Sequence, residues 1–589
     1  MIGKIISIDG DHVTIKLSID ISSQTNLVGV HVVFEDQLVK IVGEIIAVSQ
    51  EEAVIAIVGE LKDSRFVPGS SVKPSFKSDC RIIIMSELAL ILGEQKISDI
   101  NRVYFGKSTI YKNYHINVDV DKFFSNHFAI LGNTGSGKSC TTARIIQNVF
   151  SSSEYLPVNT KMIIFDAFGE YIDAFNNISM LSPMLNTKVY TTNIYDGKRE
   201  LLKIPTWFLG VDDVALLLGA TDHSQLSIIE KTLKLAPIFK GTEESVIKSR
   251  NDIIARALLD ILRSGNDSAK IRDQITAILT SYNTPQLNLD STIYQPGYSR
   301  PLKQCIFVDK SGKMMEMELV VSFIQTFVVD GLEIPEPDGT IAYNLKDLEK
   351  ALDFAMISEG ILKSDKVFDY ANILSVRLHS IINSETAAYF EYSQYITKEE
   401  YLKKFFLTPE GKPAQIVDIN INYVNDRLAK SIAKIISKMF FDAATDNVQR
   451  GTEPIHILIE EAHRYVQNDG DTFLLGYNIF DRITKEGRKY GMLLGLITQR
   501  PSELSETSIS QCSNFIILRT LHPKDLKFIR EMVPNITEEG TTQLKNLQPG
   551  TALAFGSAFP ISLNIAFDMP NPEPNSSNAE IVKIWFNQN

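Results

Sequence analysis

A glycine-rich stretch constrains the fold of this chain more than any other feature. It has the pattern G-x-x-x-x-G-K-S and consists of Gly132, Asn133, Thr134, Gly135, Ser136, Gly137, Lys138 and Ser139. The apolar run 128–131 precedes it, and residues 143–150 follow with helical spacing. A strand, a glycine loop and a helix in this order form a phosphate loop, because backbone N–H groups and a helix N-terminus surround phosphate oxygens. The sequence therefore predicts that the chain binds a nucleoside triphosphate.

The residue types in this loop predict individual roles. Lys138 would reach the β- and γ-phosphates, and the Ser139 hydroxyl would bind a magnesium ion. The glycines let backbone N–H groups turn inward around the anion. The predicted cofactors are therefore ATP and Mg²⁺, and the predicted nucleotide-binding residues run from Gly132 to Cys140.

A second apolar strand, residues 455–459, ends in two acids, Glu460 and Glu461. The first acid at such a strand end can hold the magnesium shell, and the second can orient and polarise the attacking water. We assign Glu460 to magnesium and Glu461 to the water. A solvated acid pair at a strand end is common in isolation, but an intact phosphate loop elsewhere in the chain favours the catalytic interpretation. The lone His463 is expected to make a local hydrogen bond rather than to bind a metal.

Three further polar residues are candidates for contact with the γ-phosphate. Gln499 follows the next apolar strand, where an amide can sense the γ-phosphate or its water. Arg488 is predicted to act as an arginine finger from a neighbouring subunit, stabilising charge in the transition state. Arg519, at the end of a later strand, is the weaker finger candidate. The alternative for Arg488 is an ordinary solvated position at a helix end.

The amino-acid composition and net charge of the chain limit the class of protein to which it can belong. The chain has 589 residues, 44% hydrophobic and 22% charged, as in globular proteins of several domains. No apolar run reaches the ~18 residues that cross a bilayer, and the N-terminus is typical of a strand rather than a signal peptide. The four cysteines form no C-x-x-C pair, which disfavours a zinc site, and cytoplasm is the expected location. The net charge of −12 shows no overall basic character, although a basic channel could still bind nucleic acid.

The order of apolar patterns predicts an α/β fold, in which a RecA-like parallel-sheet ATPase core carries an N-terminal β-barrel and a helical insertion. Five short apolar segments between residues 4 and 58 indicate barrel strands, with a closing turn at 67–72. Residues 264–300 show little periodicity. The predicted domains are the barrel with its connector (1–120), the first part of the core (121–205), the insertion (206–412), the second part of the core (413–565) and a tail (566–589).

Together these motifs resemble the HerA branch of the HerA/FtsK motor ATPases. The resemblance is carried by residues 127–139, 166–171, 460–463, 485–491 and 498–502. The leading barrel is similar to the domain that this family shares with ATP synthase subunits. Two positions depart from the family pattern: Ala167 and Phe168 stand where Pro-His is usual, and Glu460 stands where Asp is common.

The resemblance implies a homohexameric ring with ATP sites between subunits and double-stranded DNA in a central channel. It also implies a partner protein, either a NurA-like nuclease in end resection or, in bacterial antiphage systems, a sirtuin-like or nuclease effector. No membrane is involved. Nothing in the sequence resembles a nuclease or an NAD site, so such chemistry would belong to the partner.

Three functions remain open from the sequence. The first is a motor that drives DNA through the ring, and the second is an assembly ATPase that scaffolds and activates an effector without translocating DNA. The acidic net charge leans slightly towards the second. The third, a small-molecule kinase, is disfavoured because the pair Glu460–Glu461 suits water activation rather than an acceptor pocket.

Overall fold

The structure is a computed structural model that describes residues 1–18, 27–35, 39–93, 100–151, 155–331, 341–360, 365–532, 538–576 and 581–586. The chain divides into two compact units. The first unit comprises residues 1–192, 403–469 and 477–589, and the second comprises residues 193–402 and 470–476.

The first unit begins with a small antiparallel barrel. Its strands are β1 Gly3–Asp9, β2 His12–Leu17, β3 His31–Glu35, β4 Lys40–Val48, β5 Glu52–Lys62, β6 Arg65–Pro68 and β7 Asp79–Ile82. They follow the order β2-β1-β7-β3-β4-β5-β6, and a further pairing of β2 with β5 closes the sheet. Alternate side chains such as Val13 and Ile15 point into the core and are fully buried. The five predicted strands are confirmed, whereas β6 lies partly where a turn was predicted and β7 was not predicted.

The elements of the core that precede the insertion follow the barrel. They are α1 Met85–Leu92, β8 Arg102–Ser108, β9 His115–Asp119, α2 Val120–Phe124, β10 Phe128–Leu131, α3 Lys138–Val149, β11 Met162–Asp166, α4 Ile178–Leu181 and β12 Thr187–Thr191.

The next elements are mainly helical, as predicted. They are β13 Glu200–Leu201, α5 Val211–Leu218, α6 His223–Lys240, α7 Glu244–Leu262, α8 Ser268–Ser281, β14 Thr292–Gln295, β15 Tyr298–Pro301, α9 Leu302–Cys305, α10 Met317–Gln325, α11 Leu345–Gly360, α12 Asp365–Ile382 and α13 Lys398–Phe405.

The remaining elements complete the core, except for α15, which belongs to the second unit. They are β16 Ile416–Asn420, α14 Asp426–Asp446, β17 Ile455–Ile459, α15 Asp471–Leu475, α16 Ile479–Glu486, β18 Met492–Thr498, α17 Glu506–Ser510, β19 Asn514–Leu518, α18 Pro523–Met532, α19 Glu538–Gln543, β20 Thr551–Gly556, β21 Phe559–Ala566 and α20 Ile581–Phe586.

One large sheet organises the first unit. Its strands follow the order β12-β16-β11-β17-β18-β10-β19-β20-β21-β8-β9. The pairs from β12 to β19 are parallel, and those from β19 to β9 are antiparallel. Every residue of β10, β11, β16, β17, β18 and β19 is buried. This is the burial expected of parallel strands covered on both faces, and it confirms the predicted parallel-sheet core.

Two segments differ from the sequence-based expectation. Residues 264–300 were predicted to lack periodicity, but they contain α8 and the hairpin β14–β15. Asp267 caps α8 by accepting the Lys270 N–H, and the buried side chains Ile271, Ile275 and Ile278 recur at helical spacing. The prediction was wrong because the polar face of this helix dominates its composition.

The second difference concerns the C-terminus. Strand β21 was not predicted, and it ends at Ala566, the first residue of the predicted tail 566–589. Within that tail, residues 577–580 and 587–589 lie outside the described residues. Among the described helices, none has the length and apolar character that crossing a bilayer requires.

The close contact between Gly495 and Phe128 gives a test of the central sheet. A Cβ atom on Gly495 would lie 2.5 Å from the Phe128 ring. Gly495→Val should therefore displace β10 and lower stability by about 1–3 kcal/mol. We expect a lower melting temperature by calorimetry, whereas Leu496→Ile on the same strand should cost less because it conserves volume. Equal melting temperatures for Gly495→Val and the wild type would contradict this packing.

Candidate nucleotide site

The phosphate loop connects β10 to α3 at the carboxyl ends of the parallel strands. Gly137 has φ 97°, a left-handed conformation that favours glycine, and it lies at the N-cap of α3. A Cβ atom there would approach the backbone nitrogen of Gly550 to 3.0 Å. At Gly135, which has φ 73°, no atom lies within 4 Å of the Cβ position. The loop is thus tightly packed at its base and open at its tip, as a phosphate cradle requires.

Polar contacts fix the remaining loop residues. The Asn133 N–H donates to the carbonyl of Arg519 at 2.9 Å, and the Asn133 side chain accepts the Leu521 N–H at 3.2 Å. Ser136 is buried, and its hydroxyl has no hydrogen-bond partner. The half-buried Cys140 follows Ser139 on α3, and burial raises the pKa of its thiol.

Lys138 is buried at the start of α3 and faces acidic side chains. Its ammonium donates to the Asn133 carbonyl at 3.3 Å. Burial lowers the pKa of Lys138, while Glu461, Glu460 and Glu170 act in the opposite direction. The Lys138 ammonium therefore lies inside the loop on the Asn133 carbonyl, with three carboxylates near enough to raise its pKa.

Ser139 and Glu460 come together as the sequence predicted for a magnesium site. The Ser139 hydroxyl donates to Glu460 Oε1 at 3.4 Å. Burial, followed by the charge of Asp166, raises the pKa of Glu460 well above its ordinary value. The second oxygen of Glu460 is buried without a hydrogen-bond partner. Hydroxyl and carboxylate oxygens are ligands that suit Mg²⁺, and a cation here would offset the repulsion among the acids.

Glu461 has an unusual backbone. Its φ is 47°, in the left-handed region where non-glycine residues are uncommon. The side chain is only 7% exposed, and its Oε2 lies 3.2 Å from His463 Nδ1 without a hydrogen-bond partner. The same His463 nitrogen lies 3.0 Å from the hydroxyl of Thr498. Local strain of this kind clusters at functional sites, and here it turns a carboxylate towards the phosphate loop.

Gln499 lies beside the phosphate loop. The Thr134 hydroxyl donates a hydrogen bond to its side-chain oxygen. This contact follows from the parallel register of β10 and β18, in which Leu131 pairs with Thr498. The structure therefore brings Gln499 together with the loop, at the end where a γ-phosphate would project.

Arg488 lies at the amino-terminal ends of the parallel strands, opposite the ends that carry the phosphate loop. It precedes β18, while the phosphate loop follows β10, and these two strands are parallel. The seven residues of β18 span roughly 20 Å. Arg488 is exposed and lies near His127, whose pKa falls to about 4 through burial and, second, through the Arg488 charge. The structure does not bring Arg488 to the loop of its own chain, whereas the backbone of Arg519 does contact that loop.

Two acids were not assigned to the site from the sequence. Asp166, at the end of β11, is fully buried and accepts the N–H groups of Gly169 and Tyr171, both at 2.8 Å. Glu170 is half-buried. Burial raises its pKa, and a hydrogen bond with the Ser139 hydroxyl acts in the opposite direction. The sequence carried a signal for Asp166, because an acid at the end of the buried strand that follows the phosphate-loop helix is itself a candidate.

The arrangement suits nucleotide chemistry rather than a dedicated metal centre. Within the described part of the chain, no group of three or more His, Cys, Asp or Glu side chains forms a metal-binding cluster. Mg²⁺ in phosphate-loop proteins keeps several waters and takes few protein ligands. A buried lysine, a serine hydroxyl, open glycine backbone and unpartnered carboxylate oxygens are what a Mg²⁺–triphosphate complex requires.

The chain is similar to known proteins over most of its length. Residues 103–324 match the family described as "Helicase HerA, central domain". The chain is 23% identical to the probable DNA double-strand break repair helicase HerA of Methanocaldococcus jannaschii over 545 residues, which cover 90% of this chain and 88% of that protein.

Other similarities include one further helicase and one solved structure. The DNA double-strand break repair helicase HerA of Pyrococcus furiosus is 22% identical over 518 residues, covering 86% of this chain and 75% of that protein. The solved structure of VirB4 of Thermoanaerobacter pseudethanolicus aligns with a TM-score of 0.43 and 13% identity over 81% of this chain and 98% of that one. The family match spans the phosphate loop, and the HerA relatives align along most of this chain, so the chain is similar to proteins named as HerA helicases.

Proposed function

We propose that the chain forms a homohexameric ring that hydrolyses Mg²⁺–ATP between subunits and uses this to move double-stranded DNA. Lys138 binds the β- and γ-phosphates, while Ser139 and Glu460 hold the magnesium ion. Glu461 orients the attacking water, and Gln499 senses the γ-phosphate. Bound Mg²⁺ would neutralise charge on the phosphates. The contacts among these side chains support the assignments, because all of them lie at one edge of the sheet.

The proposal that two neighbouring subunits form each nucleotide site rests on the position of Arg488. Arg488 and the phosphate loop lie at opposite edges of the same parallel sheet, so one chain alone cannot use this arginine on its own nucleotide. A neighbouring subunit that presents its Arg488 edge to this loop completes the site. Contacts of this head-to-tail kind close into rings.

DNA is proposed as the substrate because the HerA relatives are named as DNA double-strand break repair helicases. With a net charge of −12, any DNA contact must use a local basic surface rather than the overall charge. A nuclease or a sirtuin-like effector is the proposed partner, in DNA processing or antiphage defence. A kinase is not proposed, since Glu461 beside the phosphate loop suits activation of water.

Glu461→Gln tests the water-activating role. The amide keeps the shape but cannot accept a proton, so hydrolysis should fall by about a hundredfold or more while ATP binding persists. Phosphate release and fluorescent-nucleotide binding would measure the two effects. The matched control is Glu453→Gln, because Glu453 is an exposed partner of Lys161 before the same strand. Normal hydrolysis by Glu461→Gln would remove Glu461 from the mechanism.

Mixed subunits test whether Arg488 acts across an interface. Arg488→Ala and Lys138→Ala should each lack hydrolysis. In rings mixed from equal amounts of the two variants, about one interface in four joins an intact Lys138 on one chain to an intact Arg488 on the next. Hydrolysis should return at those interfaces. Glu461→Gln is the matched control, because Glu461 lies near Lys138 of its own chain. Mixing Glu461→Gln with Lys138→Ala should restore nothing. Absence of recovery with Arg488→Ala would overturn the shared site.

DNA stimulation separates the motor from the scaffold. Duplex DNA should raise ATP turnover several-fold, and the effect should weaken with added salt because phosphate contacts are electrostatic. Heparin of equal charge controls for a general polyanion effect. Intact hydrolysis without stimulation by DNA would instead support an ATPase that assembles and activates its effector.

A further inference from the structure

The segment after β21 crosses the helix of the phosphate loop. We call residues 568–576 the C-terminal strap. At its start, Asp568 accepts hydrogen bonds from Tyr104 at 2.7 Å and from Lys107 at 3.0 Å. At its end, the Ser576 side chain lies close enough to the Cys140 thiol, one residue beyond Ser139, to lower its pKa. The strap therefore runs from β8 to the N-terminal end of α3.

Gln147 binds the middle of the strap to α3. Its side-chain oxygen accepts the Asn571 N–H at 2.9 Å, and its side-chain nitrogen donates to the Pro572 carbonyl at 2.9 Å. The same nitrogen donates to the Ala174 carbonyl at 2.8 Å. One side chain thus joins the phosphate-loop helix, the strap and the segment that follows Glu170. Pro574 of the strap is buried, which adds an apolar contact to these hydrogen bonds.

The strap then reaches the loop that carries Glu170. The Asn575 N–H donates to the Glu170 carbonyl at 2.8 Å, and the Asn575 side chain donates to Asp173 at 3.2 Å. On the other side, the Glu170 carboxylate lies close enough to Ser139 and Lys138 for both to lower its pKa. Its Oε2 is buried without a hydrogen-bond partner. The backbone of Glu170 is therefore held by the strap, while its carboxylate lies near the two residues proposed to bind the metal and the phosphates.

We infer that Glu170 is a further residue of the Mg²⁺–nucleotide site and that Asn575 of the strap positions it. With Mg²⁺ and nucleotide bound, Glu170 would accept a hydrogen bond from a water of the magnesium shell and orient that ligand. The Asn575 N–H keeps the Glu170 loop against α3, so that the carboxylate meets Ser139 rather than solvent. This inference rests on the proposed function, since it assigns both residues to the same site.

Position 575 allows a selective test. The Ser576 N–H donates to the Pro574 carbonyl at 2.8 Å, which makes Asn575 the centre of a γ-turn. Asn575 is not among the residues with positive φ, so the turn is of the inverse type, with φ near about −75° at its centre. Proline, with φ near about −65°, fits this conformation but has no N–H. Asn575→Pro thus removes the donor to Glu170, whereas Asn575→Ala keeps it.

The measurement is the affinity for a fluorescent ATP analogue, titrated with Mg²⁺ and again with EDTA. Asn575→Pro should weaken binding with Mg²⁺ by roughly threefold to tenfold, the effect of one lost hydrogen bond, and should leave binding in EDTA unchanged. Asn575→Ala should stay within about twofold of the wild type, because the lost side-chain contact is exposed. Glu170→Gln should reproduce the loss with Mg²⁺, and adding Asn575→Pro to it should cause little further loss.

Each outcome decides a different point. Equal affinities for Asn575→Pro and Asn575→Ala, with equal melting temperatures, would overturn the role of the strap. Independent losses in the double variant would show that Asn575 does not act through Glu170. If the wild type bound the analogue no better than Lys138→Ala, the proposed nucleotide site itself would fail, whatever the strap variants did.

Discussion

The parallel register of the central sheet is the constraint on which the site depends. Phe165 of β11 pairs with Ile459 of β17, so the next residues, Asp166 and Glu460, meet at the carboxyl edge. The pairing of Leu131 with Thr498 brings the phosphate loop to Gln499 in the same way. A shift of one residue in either pair would turn these side chains to the opposite face of the sheet. The site is therefore set by backbone hydrogen bonds that involve no functional side chain.

The same register places several carboxylates close together, and their charge destabilises the fold unless a ligand offsets it. Glu170, Glu460 and Glu461 lie near the buried Lys138, and Asp166 lies near Glu460. Asp166 is stabilised by backbone N–H groups, but Glu460, Glu461 and Glu170 each keep a buried oxygen without a partner. Unpaired buried carboxylates are costly in a folded protein, and they persist where a ligand uses them. A divalent cation with bound phosphates supplies the missing charge and hydrogen-bond partners.

The features that could be predicted from the sequence are those that a few neighbouring residues encode. The phosphate loop, the strand before Glu460 and the barrel strands are short-range signals, since glycine spacing and apolar alternation are visible in a few residues. Helix α8 was missed because its buried stripe is narrow within a polar segment. Glu170 and Asn575 escaped for a different reason. Their contact joins segments distant in the chain, and nothing in the residues around Asn575 indicates that its N–H would meet the Glu170 carbonyl.

Strand β10 runs between the phosphate loop and the residues near Arg488, the proposed finger. Strand β10 ends in the phosphate loop, and His127 at its start accepts the N–H of Leu494 through Nδ1 at 2.9 Å. The ring of His127 is fully buried, and it lies close enough to Arg488 for the arginine charge to affect its pKa. In the proposed ring, a four-residue buried strand would therefore separate the nucleotide of one site from the arginine of the next. Tightly packed strands transmit displacements, so in that ring β10 would couple a movement of the loop on nucleotide release to Arg488.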